Sequence, residues 1–64
     1  MNAKSGDTIY FANKFVKVQS YVKESNYYEL DEWVHGLRWW IIPSPIVVSP
    51  DTPQNRLAIQ LKYA

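Results

Sequence analysis

The stretch ELDEWVHGLRWWII, residues 29–42, decides the fold of this chain. At a helical period, Leu30, Trp33, Val34, Leu37, Trp40 and Ile41 form one stripe, with Ser25 or Asn26 as cap. Gly36 in the middle of that helix would cost about 1 kcal/mol relative to alanine. The β reading breaks the stretch near His35-Gly36, giving one strand from Tyr27 and another over residues 37–42, where Pro43 stops the ladder. The balance leans to β. Along such a strand Leu37, Trp39 and Ile41 point one way and Arg38, Trp40 and Ile42 the other. One small core has room for one of the two adjacent indoles. The expectation is that Trp39 is buried and that Trp40 is exposed beside Arg38 and Ile42.

The flanking segments repeat the ambiguity. In KFVKVQSYVKESNYYEL, residues 14–30, a helix would align Phe11, Phe15, Val18 and Val22. Strands would place Val16, Val18 and Val22 on one face, with Ser20 breaking the row, and Lys17, Gln19, Tyr21 and Lys23 on the other. Valine-rich composition and weak caps favour strands, with ESN as the turn. At the C-terminal end RLAIQLKY, residues 56–63, alternates strictly, with Leu57, Ile59, Leu61 and Tyr63 on one side. It reads as a core strand paired with PIVVS through the polar connection PDTPQN.

The chain has 64 residues, no cysteine, 47% hydrophobic residues and a formal charge of +1. At this length folding buries only about 60% of the surface of the unfolded chain. Disulfide staples and thiolate metal sites are excluded, and the lone His35 makes no zinc site by itself. Stability therefore has to come from apolar packing or from oligomerisation. The weak charge points to no particular partner. No apolar run approaches the roughly 20 residues of a membrane span, and MNAKSGDT has no hydrophobic signal core. These features lead us to expect one domain over residues 1–64, frayed over residues 1–6, in the cytoplasm and with no membrane partner.

Few residues suggest chemistry. Glu29, Asp31 and Glu32 are the only acidic cluster, and no nucleophile, positioned base or metal partner lies near them in sequence. We expect no enzyme, no metal and no cofactor. Lysines and aromatics interleave in YFANKFVKVQSYVKESNYY, residues 10–28, as they do where a small β-barrel binds single-stranded nucleic acid. Lys14, Lys17, Tyr21, Lys23 and Tyr27 are the candidates for that reading.

The stretch WVHGLRWWIIPSP, residues 33–45, resembles the small winged-helix excisionases of phages. In those proteins a tryptophan-bearing recognition helix runs into a proline pair and then a β-hairpin wing. Trp33, Pro43 and Pro45, followed by IVV and RLAI, are the counterparts. The resemblance implies an α+β fold with one or two helices before a C-terminal hairpin. The residue patterns themselves favour a mainly β domain, a five-stranded antiparallel barrel or curled sheet of SH3-like or OB-like kind. The function expected with it is a non-enzymatic binding module that meets a protein partner through an aromatic patch of Arg38, Trp40 and Ile42. The same patch could pair two copies of the chain. Size alone suggests an accessory protein of a phage or mobile element. The alternative is a nucleic-acid-binding domain using the lysine and aromatic face.

Overall fold

The computed structural model describes residues 3–63. Its elements are strands β1 (Thr8–Phe11), β2 (Lys14–Val22), β3 (Tyr27–Val34), β4 (Leu37–Ile41) and β5 (Ile46–Val48), followed by helix α1 (Pro53–Tyr63). The strands form one antiparallel sheet in the order β4-β3-β2-β1-β5. It is mainly β, as the residue patterns predicted. The sheet curls without closing, since β4 and β5 remain its two edges.

The hairpins follow from local backbone chemistry. His35 and Gly36 both have positive φ, 50° and 83°. A two-residue turn of that hand matches the twist of the strands it joins. This break turns residues 29–42 into two strands and removes the helical stripe. No helix precedes β5 among the described residues, so the winged-helix alternative is overturned.

Strand β2 bends to serve both halves of the sheet. Its first half pairs with β1, Thr8 opposite Lys17, and its second half with β3. Val18 stands opposite Leu30 but Ser20 opposite Glu29, so Gln19 is an extra residue, a β-bulge. The inner face carries the core: Ala3, Ile9, Val16, Val18, Tyr28, Leu30, Val34 and Ile42. Of the residues expected to fray, Met1 and Asn2 lie outside the described residues. Ala3 is buried, and the Gly6 N–H donates to the Val18 carbonyl at 2.8 Å.

The C-terminal segment corrects the sequence reading outright. Residues 56–63 are not a strand but most of α1, and none of the helix is buried. Leu57 and Leu61 are 56% and 75% exposed. The start signals explain why. Thr52 caps the helix, its Oγ1 accepting from the Asn55 N–H at 3.2 Å, and Pro53 occupies the first turn, where its missing N–H costs nothing. Alternation over eight residues is also compatible with a helix. It places Leu57 and Leu61 one turn apart on one side, and Ile59 and Tyr63 on another. PDTPQN is accordingly the lead into a helix, not a hairpin connection.

Candidate protein-binding face

The two bulges set which side of each strand faces the core. Because Gln19 is extra, the inward parity of β2 changes after it. Tyr21 turns to the core and stacks on Tyr28 at 4.5 Å, while Val22 is exposed. Val22 therefore does not share the face of Val16 and Val18, as the unbroken strand reading required. Farther along, Glu29 pairs with Trp39 and Val34 with Leu37, so residues 30–33 stand opposite Arg38 alone. Arg38 fills that gap. Its Nε donates to the Leu30 carbonyl at 3.3 Å, and its Nη2 lies 3.3 Å from Gln19 Oε1 and 3.4 Å from Glu29. One guanidinium thus ties both irregularities together.

This arrangement inverts the expected roles of the indoles. Trp40 packs against the core, edge-on to Phe11 at 5.2 Å, and donates its indole N–H to the Leu37 carbonyl at 3.2 Å. Ile42 is buried, at 8% exposure, and its N–H donates to the Asn26 carbonyl. Arg38 is half-buried and engaged in the bulge. Of the surface expected from Arg38, Trp40 and Ile42, Trp40 and Ile42 therefore lie on the inner side, and Arg38 is spent on the bulge. The outer side carries Trp39 and Ile41, 40% and 62% exposed.

The register then assembles an apolar face that no strand supplies alone. Val22 stands opposite Tyr27, and Tyr27 opposite Ile41, so these three exposed side chains form a row across β2, β3 and β4. Trp39 sits in the next row, its ring edge-on to Tyr27 at 5.5 Å. Trp33 and Leu37 add exposed apolar surface toward the β3–β4 turn. The alternation of Leu37, Trp39 and Ile41 was visible in the sequence. What places Trp39 and Ile41 outside is the register shift between Glu29 and Val34: Leu37 stands opposite buried Val34 but Trp40 opposite buried Tyr28, so the inward parity of β4 changes at Arg38.

The lysine and aromatic residues do not converge. Lys14 begins β2 and Lys23 lies in the turn just past its other end, and Lys14 pairs with Glu32 at 2.6 Å. Tyr21, turned inward, no longer shares a face with exposed Lys17. Tyr27 belongs to the apolar face. The acidic cluster is dispersed too. Glu29 accepts from Ser20 Oγ at 3.0 Å and meets Arg38, while Glu32 holds Lys14. Among the described residues, no group of three side chains could hold a metal ion, and no helix is long and apolar enough to cross a membrane.

Helix α1 is held at the far side of the sheet by one polar chain. Thr8 Oγ1 donates to Asp51 Oδ2 at 3.0 Å, and Arg56 donates to both Asp51 oxygens, with Nη2 at 2.8 Å from Oδ2. The same guanidinium lies over the Phe15 ring at 4.9 Å. Hydrogen bonds from Arg56 hold the Asp51 carboxyl down at about 2. Burial, by contrast, pushes the Tyr28 phenol above its ordinary value.

No family model matches the chain, and neither a curated protein nor a solved structure is significantly similar to it.

Proposed function

We propose that this chain is a non-enzymatic module that binds a protein partner through the outward face of β2, β3 and β4. The observation that carries the reading is the row Val22–Tyr27–Ile41 beside Trp39. It remains exposed although the opposite face of the same strands fills the core. Contiguous exposed apolar surface of this kind marks interaction sites, and tryptophan and tyrosine are the residues that anchor them. Trp39 is the central contact, and Tyr27 and Ile41 shape the surface around it. Arg38 supports the face by holding the bulge. A compact module of this kind suits an accessory protein of a phage or mobile element.

The test is a photo-crosslinking residue placed at position 39 or at position 17 in the cell that produces the protein. Discrete protein adducts from position 39, lost on Tyr27→Ser, support the reading. Nuclease-sensitive adducts from position 17 would replace it with the nucleic-acid alternative.

A further inference from the structure

We propose that the occupant of this face is helix α1 of a second copy of the chain, in a two-fold symmetric dimer. The inference rests on the protein-binding reading above and names its partner. The molecule carries two apolar surfaces with nothing over them. One is the outer sheet face. The other is the side of α1 bearing Leu57 and Leu61, one helical turn apart. A sheet with an exposed apolar face and a helix with an exposed apolar stripe are the two halves of a layered packing.

Within one subunit the two cannot meet. Helix α1 follows β5, which sits at the opposite edge of the sheet from β4. Only residues 49–52 separate β5 from the helix, and the Thr8–Asp51–Arg56 chain fixes the helix there. The side of α1 with Asn55, Arg56 and Ile59 is half-buried against its own subunit, which leaves the Leu57 and Leu61 side for another.

Area and charge both favour a second copy. On each subunit the sheet row exposes four apolar side chains, Val22, Tyr27, Trp39 and Ile41, and the helix stripe two, Leu57 and Leu61. Each partner in a standard interface contributes about 800 Å². Either surface alone falls well short, whereas a reciprocal dimer uses both twice. Helix α1 carries no acidic residue, and with Arg56 engaged by Asp51 its charge toward a partner is Lys62, in the last turn. Strand β3 carries Glu29, Asp31 and Glu32, and among the described residues Asp31 makes no ion pair. A two-fold axis satisfies both helices and both faces with one self-complementary contact, so assembly stops at two.

Sedimentation of the wild type, of Trp39→Ser, of Leu57→Gln/Leu61→Gln and of an equal mixture of the two variants tests this. All substituted side chains are exposed, and a far-UV melt of each variant checks that it folds. The wild type should be a dimer. Each variant alone should associate at least about tenfold more weakly, as for loss of a hot-spot tryptophan. The mixture should recover a heterodimer, because the intact helix of the Trp39→Ser chain docks on the intact face of the other. A helix variant that still dimerises, or a mixture without rescue, overturns the arrangement. A monomeric wild type that still gives Tyr27-dependent adducts from position 39 overturns the dimer and leaves the protein-binding face standing. Loss of both results removes both readings.

Discussion

Strand β4 and helix α1 each carry apolar side chains on two sides, and the fold uses them differently. In β4 the inner side is consumed, since Trp40 meets Phe11 and packs on the core, while Trp39 and Ile41 face outward and Arg38 closes the bulge between β3 and β4. In α1 no residue is buried, and the attachment is polar, through Asp51 and Arg56. The contrast shows that apolar periodicity states how a segment could be buried, and neighbouring geometry decides whether it is. A strand sharing a ladder with β3 inherits an inside and an outside from its register. A helix joined at the sheet edge inherits only the side its tether turns inward.

The largest expected effect separates the sides of β4. Trp40→Ala removes a half-buried ring that packs on Phe11 and the core, and it should cost roughly 2–3 kcal/mol, below the range for fully buried aromatics. A domain this small has only about 3–5 kcal/mol in total, so a chemical denaturation curve should show a largely lost native baseline. Trp39→Ala should instead cost about 1 kcal/mol or less, the edge-on contact with Tyr27 being its main intramolecular partner. Equal destabilisation by the two substitutions would break the assignment of inner and outer sides.

Arg38→Ala comes between them. It leaves the Leu30 carbonyl without its donor in a half-buried gap and frees Gln19 and Glu29. The expected cost is about 1–2 kcal/mol by urea unfolding. Arg38→Lys should recover little, because a point charge cannot reproduce the forked contact. Full recovery with lysine would show that charge alone holds the bulge.

How much of this was legible in the sequence follows the same division. Gly36 after His35 marked a two-residue turn, and with it the five strands and the open, curled sheet came within reach. The side of β4 that faces inward did not, because each side offers one tryptophan and one isoleucine. The choice was made at Arg38, where the β3–β4 register shifts between Glu29 and Val34 and brings Trp40 opposite buried Tyr28, an irregularity with no signature of its own in the sequence. For the C-terminal segment the strict alternation of Leu57, Ile59, Leu61 and Tyr63 outweighed the Thr52-Pro53 start signal. The start signal was the better guide, since a cap satisfies specific backbone donors whereas alternation over eight residues fits more than one element.

The tether of α1 gives a pH-dependent contrast with β4. Arg56 holds the Asp51 carboxyl at about 2, below its ordinary 3.8. The stabilisation this implies is present above pH 3.8 and is lost as pH falls toward 2. Acid titration followed by the Phe15 ring resonances should therefore report loosening of the helix in that window, with the β3–β4 hairpin unchanged. Asp51→Asn should show the loosened resonances already at neutral pH. Phe15 resonances that move only with global unfolding would mean that the ion pair does not hold the helix.

The smallest effect is expected for Leu61→Ala. Leu61 is 75% exposed, on the side of α1 away from its own subunit, so the substitution leaves no cavity. Alanine is at least as good a helix former as leucine, and surface changes away from special features stay within about 0.5 kcal/mol. At micromolar concentration the melting curves of Leu61→Ala and the wild type should superimpose. At high concentration they should separate if the helix docks on a second copy, because association stabilises only the chain that can make it. Trp39→Ala should lose the same concentration dependence, although it lies on a different element. A drop of several kcal/mol for Leu61→Ala in the dilute monomer would instead place Leu61 in a core, contrary to the helix as it stands.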